Sequence, residues 1–186
     1  HFTGPVALRP RLSSGLPIIL LKLLNLYKNI DIIRGLAQEN DTEEYQLKSA
    51  FENLKKEYDY CIIDTRPVFD NLTKNALHVA DIMLTPIKFD NYCRDNLALV
   101  EHFVNQYADE QMEWKIFANM VANGKAQRET MIDLIGKHDY PIMDTCISRS
   151  AVVDNALNLY KPVLKHRRFS SVAQDYLELA KELMEA

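Results

Sequence analysis

Cysteine and histidine are few in this chain, and neither forms a pattern that would hold a metal. The three cysteines, Cys61, Cys93 and Cys146, include no CxxC pair and no even set, which argues against a disulfide framework or a zinc site. The five histidines form no HxxxH or HExxH pattern. We therefore expect reduced thiols in a cytoplasmic protein, with the cysteines acting as small buried side chains.

Long apolar runs and an excess of positive charge are also absent. The most apolar run, residues 16–27, is about 12 residues long and contains Lys22, whereas a membrane-spanning helix needs about 20 residues. Residues 1–10 lack the charged-then-apolar order of a signal peptide. With a net charge of −4, the whole chain has no electrostatic attraction to nucleic acid, so DNA contact would require a local basic patch. We expect no membrane association.

Alternating strand and helix patterns fill the chain instead. Its 186 residues, 47% of them hydrophobic, suffice for one domain with a substantial core. Short connections between the alternating elements indicate βαβ units, and hence an α/β fold with a doubly wound, mostly parallel sheet and helices on both faces. Strands are predicted at 30–33, 60–63, 82–86, 114–121 and 142–147, and helices at 16–27, 43–57, 71–79, 91–107, 127–138, 150–157 and 170–185.

The strand at 60–63 delivers a carboxylate, Asp64, to its carboxyl end, and the chain then breaks at Pro67. Ligands bind outside the carboxyl ends of the strands in such sheets. Phosphoryl-transfer sites of the P-loop class need an acidic residue there, which holds Mg²⁺, usually through a water. From the spacing alone, a simple turn or capping residue remains an open alternative.

Residues 58–67, YDYCIIDTRP, resemble the switch II segment, typically YDYIIIDTPP, of the ParA/Soj/MinD family of deviant Walker P-loop ATPases. The resemblance continues in order through LTKNAL and AD at 72–81, the strand at 82–87, and KPV at 161–163. It ends with AQDYLELAKEL at 173–183, which is similar to the family's carboxyl-terminal pattern. It covers about three quarters of the chain and is closest to the ParA partition ATPases.

The resemblance implies ATP and Mg²⁺ as cofactors and assigns roles to three positions. Asp64 resembles the catalytic switch II aspartate near Mg²⁺ and the attacking water. Thr65 to Pro67 would sense the γ-phosphate, although Arg66 stands where the family usually has proline. Asn119, at the end of a strand, resembles the asparagine that hydrogen-bonds the adenine edge, a task that suits an amide's donor and acceptor. For Asn119, a strand-end turn residue remains the alternative.

Basic residues are concentrated near the last helix. Lys161, Lys165, His166, Arg167 and Arg168 form a cluster. Upstream, Arg149 lies in ISRS, which resembles the family's "IPrn" turn with serine in place of proline. Family members bind DNA non-specifically through such residues in the ATP-bound dimer, so Arg149, Lys165, Arg167 and Arg168 are candidate phosphate contacts. An ordinary solvated basic loop remains the alternative.

The family's phosphate-binding loop, KGGxGKT/S, does not occur in this sequence. Gly124-Lys125 follows the wrong strand, lacks the upstream glycine and precedes Ala126, so it is rejected as that loop. The family's next strand, with its D-x-D-x-Q-like end, is also missing. We expect one ParA-like domain over 1–186 without its amino-terminal strand and loop, because this sequence is part of a longer protein or because the homologue is degenerate.

The resemblance implies a cytoplasmic ATPase that forms a homodimer when ATP is bound and acts in partition of a chromosome, plasmid or mobile element. Non-specific DNA and a centromere-binding or stimulating protein would be its partners, and DNA binding would place it on the nucleoid. The alternative is a non-hydrolysing ParA-like binding or scaffold module. A MinD-like membrane helix is disfavoured, because Glu178, Glu182 and Glu185 in the last helix would be repelled by an anionic membrane.

Overall fold

The computed structural model describes residues 18–20, 45–52, 60–65, 68–122, 124–137 and 139–185. Within these ranges the strands are β1 (Ile18–Leu20), β2 (Ile62–Ile63), β3 (Ile82–Ile87), β4 (Glu113–Val121) and β5 (Ile142–Ser148). The helices are α1 (Gln46–Glu52), α2 (Asn71–Leu77), α3 (Asn91–Tyr107), α4 (Lys125–Lys137), α5 (Ala151–Asn158), α6 (Val163–His166) and α7 (Ser171–Glu185).

The strands form one open sheet in the order β2-β1-β3-β4-β5. Strands β3, β4 and β5 are parallel. Strand β1 is antiparallel to both of its neighbours, so β2 runs in the same direction as β3. The predicted α/β fold with a mostly parallel sheet is confirmed.

The helix predicted at 16–27 is wrong where the chain is described, because Ile18–Leu20 is strand β1. A short continuous apolar run satisfies helical spacing and also suits a buried strand, and periodicity alone does not separate the two. The predicted strand at 30–33 lies outside the described residues, as do both ends of the predicted helix at 43–57.

Helices cover both faces of the sheet, as predicted. Side chains alternate between the faces along β3. Met83 and Ile87 pack beneath α2, α3 and α4, whereas Leu84 packs with Phe117 of β4 on the opposite face, against α7 and its buried Val172. Strands β3 and β4 are therefore buried from both sides, as apolar parallel strands require.

Local sequence signals set the starts of three helices. The side chains of Asp70, Asp90 and Ser150 accept hydrogen bonds from backbone N–H groups in the first turns of α2, α3 and α5. Each cap comes shortly after a parallel strand, so these helices begin at the carboxyl edge of the sheet. Helix α6 was not predicted, because a four-residue helix is too short to produce a periodic pattern.

Carboxylates of α7 cover the outer edge of β5. The two carboxylate oxygens of Glu182 accept from the backbone N–H groups of Asp144 (2.8 Å) and Thr145 (2.9 Å). About two helical turns earlier on α7, Asp175 Oδ2 accepts a hydrogen bond from the backbone N–H of Ser148 at 2.8 Å. An exposed strand edge offers these donors to other chains, so the carboxylates both satisfy the backbone and protect the edge.

Replacing Glu182 by glutamine is expected to destabilise the protein by about 1 kcal/mol at neutral pH, because two charge-assisted hydrogen bonds become weaker on a partly exposed side chain. Urea denaturation measures this loss. Glu178→Gln is the matched control, since Glu178 is exposed and pairs only with Lys181 among the interactions described for it. The control should change the free energy of unfolding by less than about 0.5 kcal/mol.

The effect of Glu182 should also depend on pH. Burial raises the pKa of this carboxyl, but hydrogen bonds from Thr145 and Asp144 outweigh burial, so the pKa lies below its ordinary value. A carboxyl with a lowered folded-state pKa stabilises the fold above its unfolded pKa, about 4.3 for glutamate. That contribution disappears as pH falls through the folded-state pKa. A wild-type advantage that stays constant down to pH values well below 4.3 would contradict this assignment.

The cysteines are only partly as predicted. Cys93 is buried in α3 and Cys61 is half-buried, but Cys146 is exposed on β5. Partial burial, reinforced by the negative charges of Asp175, Glu182 and Asp144, raises the pKa of the Cys146 thiol. The thiolate is the reactive form, so Cys146 is a poor nucleophile despite its exposure.

Candidate nucleotide site

The candidate site lies along the carboxyl edge of the parallel strands. Because β2, β3, β4 and β5 all point the same way, the residues that follow them meet at this edge. Helices α2, α3 and α5 also begin there, which adds partial positive charge from their amino termini. This is where nucleotide ligands bind in open α/β sheets.

Asp64 directly follows β2 and is exposed, while Thr65 beside it is half-buried. Pro67, like Arg66, lies outside the described residues. A short exposed carboxylate at this position is free to approach a ligand from the strand end, unlike the buried Asp70 that caps α2.

The segment that follows Asp64 makes hydrogen bonds and a ring contact at its carboxyl-terminal end, just before α2. Asp70 Oδ1 accepts from the backbone N–H of Thr73 at 2.9 Å, and the Thr73 hydroxyl donates to the carbonyl of Val68 at 2.6 Å. The ring of Phe69 lies 4.4 Å from that of Phe103, measured between centroids. Val68 and Phe69 therefore contact α2 and α3 directly.

Asn119 lies near the carboxyl end of β4 and is half-buried. Its side-chain oxygen accepts from the backbone N–H of Met120 at 2.9 Å, and Met120 has a left-handed φ of 55°. Gln127 of α4 braces the same turn, because its Oε1 accepts from the N–H of Ala122 at 2.7 Å. The Asn119 oxygen has a second lone pair, so the oxygen and the NH₂ group of this side chain are both suited to a ligand.

The structure brings Asp64 and Asn119 to one edge but not into contact. Strands β1 and β3 lie between β2 and β4. Three inter-strand spacings of about 4.8 Å place β2 about 14 Å from β4. The two side chains can therefore bind opposite ends of one extended ligand, and not the same group.

The predicted basic residues also gather near this edge. The N–H of Arg149 donates to the carbonyl of Val121 at 2.9 Å, which fixes Arg149 beside the end of β4. Gln174 donates to the carbonyl of Arg168 at 2.8 Å, and the adjacent Asp175 binds Ser148 at the end of β5. Arg167 and Arg168 thus lie at the same end of β5 as Arg149. All three side chains, and that of Lys165 in α6, are exposed.

A family model described as an AAA domain matches residues 24–117, half of the chain. Partition proteins are among the relatives and the structural neighbours of this chain. This chain belongs to the ParA-type P-loop ATPase family.

Two curated relatives illustrate the similarity of this ParA-type chain. It is 26% identical over 149 residues to the chromosome partitioning protein ParA of Myxococcus xanthus, covering 77% of this chain and 53% of that protein. It is 27% identical over 172 residues to the sporulation initiation inhibitor protein Soj of Bacillus subtilis, covering 84% and 67%. The chain thus spans about half to two thirds of the length of these relatives.

Two solved structures share the fold, and both are described as plasmid partition proteins of Borrelia burgdorferi. One has a TM-score of 0.68 at 18% identity, covers 79% of this chain and 59% of its own, and is bound to AMPPNP. The other has a TM-score of 0.54 at 22% identity, covering 68% and 55%. At these identities the likeness establishes the fold alone.

The structure adds edge residues of the ParA-type chain that the sequence analysis did not select. Lys88 and Asp90 follow β3, which lies between Asp64 and Asn119 in the sheet. Gln127 supports the turn after Asn119. Lys88 and Asp90 could have been identified from their position shortly after a strand, which is the same observation that identified Asp64. No sequence pattern could have identified Gln127. Its hydrogen bond with Ala122 depends on the shape of the turn, and that shape depends on the left-handed backbone of Met120.

Two structural findings bear on metals and membranes. Across the described ranges, no three or more His, Cys, Asp or Glu side chains are grouped so that they could hold a metal ion. Among those same residues, no helix has the length and apolar character needed to cross a membrane. A Mg²⁺ ion bound through Asp64 would therefore depend on water and ligand oxygens for its remaining coordination, which is its habit in nucleotide sites.

Proposed function

We propose that residues 1–186 form one ParA-like domain of an ATPase, which acts as an ATP-dependent dimerisation switch in DNA partition or segregation. The observation that carries this proposal is the placement of Asp64, an exposed carboxylate immediately after a parallel strand at the carboxyl edge. In the sequence, Thr65 and Pro67 lie between Asp64 and α2, whose amino terminus is capped by Asp70.

In this proposal Asp64 binds Mg²⁺ and orients the attacking water, and residues 65–67 sense the γ-phosphate. A carboxylate oxygen is the hard donor that Mg²⁺ prefers, so the residue fits the ion. Asn119 hydrogen-bonds the adenine edge through its side-chain amide, which offers both a donor and an acceptor. The separation of about 14 Å between β2 and β4 supports roles at the phosphate and base ends of one nucleotide. The AMPPNP in a neighbour of the same fold supports nucleotide as the ligand class.

The basic residues supply the proposed DNA contact. Arg149, Lys165, Arg167 and Arg168 are exposed, and Arg149 and Arg168 lie near one end of the sheet. Their guanidinium and ammonium groups can contact phosphates without reading sequence. The partition roles of the relatives support DNA as the polyanion, with a centromere-binding or stimulating protein as a second partner. The proposal includes a cytoplasmic location and nucleoid association when DNA is bound.

A non-hydrolysing scaffold module is the second candidate, and one sequence observation favours it. In the segment proposed to sense the γ-phosphate, Arg66 stands where the family usually has proline. In that case the sheet and the surfaces around it would be retained for binding, while nucleotide chemistry would be lost.

Light scattering during size-exclusion chromatography separates these candidates. The switch predicts that ATP with Mg²⁺ doubles the measured mass of the purified protein and that ADP leaves it unchanged. Titration calorimetry with ATP is the accompanying control for binding itself. A constant mass together with no heat of ATP binding would refute the switch and leave the scaffold in its place.

A further inference from the structure

The segment of residues 155–174, here called the basic segment, combines cations with exposed aromatic rings. It contains four lysines and arginines and no acidic residue, although the whole chain has a net charge of −4. Within it, the side chain of Phe169 is 90% exposed and that of Tyr160 is 73% exposed. Phosphate contact alone requires only the cations, and Phe169 is the most exposed of the large hydrophobic residues that the structure describes.

Phe169 is held on a rigid turn. The carbonyl of Arg167 accepts from both the N–H (3.1 Å) and the hydroxyl (2.8 Å) of Ser170, and the carbonyl of Arg168 accepts from Gln174. Helix α7 begins next, anchored by the fully buried Val172. A ring presented to water on a fixed backbone loses little conformational entropy when it binds a partner.

The positive charge near the Phe169 ring favours a polyanion as the ligand, and the flat ring favours stacking against a base. Arg168 precedes Phe169 directly, and Lys165 and Arg167 are also exposed. Surfaces that bind single-stranded nucleic acid combine such cations for the backbone with aromatic rings on which bases stack. Paired bases inside a duplex do not offer their faces, so a stacking ring favours unpaired nucleotides.

An anionic membrane fits these observations less well. The two most exposed large apolar side chains of the segment are both aromatic, while Leu159 and Leu164 are 53% and 37% exposed. Helix α6 has only four residues, too few for the broad amphipathic face that lies in a membrane interface.

We propose that Phe169 is a stacking platform for an unpaired base, and that the basic segment therefore binds single-stranded DNA, with Lys165, Arg167 and Arg168 contacting its phosphates. This inference rests on the proposed DNA contact and goes beyond it, because it names a strand state and the residue that selects it.

Fluorescence anisotropy with labelled oligothymidylate of about 20 nucleotides, and with a duplex of the same length, tests the proposal. Phe169→Leu keeps the charge and most of the apolar surface but removes the flat ring. It should weaken single-strand binding about ten-fold and change duplex binding less than about two-fold. Phe169→Tyr, the matched control at the same position, keeps the ring and should bind like the wild type.

The double variant Arg167→Gln/Arg168→Gln separates the two proposals. It should weaken binding of both DNA forms and reduce the dependence of affinity on salt. If it binds both forms as the wild type does, the DNA contact itself fails. If it weakens both while Phe169→Leu binds the single strand normally, only the stacking proposal is overturned. Flotation with phosphatidylglycerol vesicles covers the membrane alternative, and Phe169-dependent vesicle binding without single-strand binding would also overturn it.

Discussion

Replacing Asp64 by asparagine is expected to lower the rate of Mg²⁺-dependent ATP hydrolysis about 100-fold or more. The amide is nearly the same size as the carboxylate but carries no charge to hold the metal ion and to orient the attacking water. Asp64 is exposed, so the substitution should leave the melting temperature nearly unchanged. Phosphate release measured at saturating ATP gives the rate, and calorimetric titration gives the nucleotide affinity.

Asp81→Asn is the matched control for this experiment. Asp81 is also exposed, but it precedes β3 and therefore lies at the opposite edge of the sheet. Its substitution should leave hydrolysis at the wild-type rate. An Asp64→Asn protein that hydrolyses ATP as fast as the wild type would remove the catalytic role from Asp64, whatever its effect on binding.

Replacing Ile116 by alanine is expected to lower the free energy of unfolding by about 2–5 kcal/mol. Ile116 is fully buried in β4, and it packs in one cluster with Leu97 of α3 and Leu134 of α4. Truncation both loses transfer free energy and leaves a cavity that a strand held by two parallel neighbours closes poorly. Urea denaturation followed by circular dichroism measures the change.

Ile132→Ala provides the same chemical change on the surface. Ile132 lies on α4 but is 66% exposed, so its truncation should change the free energy of unfolding by less than about 0.5 kcal/mol. Equal losses at Ile116 and Ile132 would mean that the packing of α3 and α4 on β4 is not as described.

Elements with strong local signals were predicted well from the sequence. The helix predicted at 91–107 has those bounds in the structure, because a long amphipathic pattern follows the capping Asp90. The run at 142–147 was predicted as a strand and is β5 with one further residue. The run at 16–27 failed, because an apolar stretch without a cap carries no information on whether its partners are helices or strands.

The candidate site was likewise predicted from the sequence only in part. The position of Asp64 after a buried strand was readable from the sequence, since an apolar run and the next polar residue are local facts. Its separation from Asn119 was not, because two other strands lie between β2 and β4 and strand order is a non-local property. The roles of both residues stay predictions until the variants are measured.

The sequence by itself determined the alternation of strands and helices and the family to which the chain belongs. Only the tertiary structure decided that Glu182 and Asp175 cover the edge of β5 and that Arg149 and Arg168 lie at one end of it. In the sequence, acidic residues on a helix look like a solvated face. Their partners are backbone groups of a strand about 30 residues away, and only chain folding brings the two together.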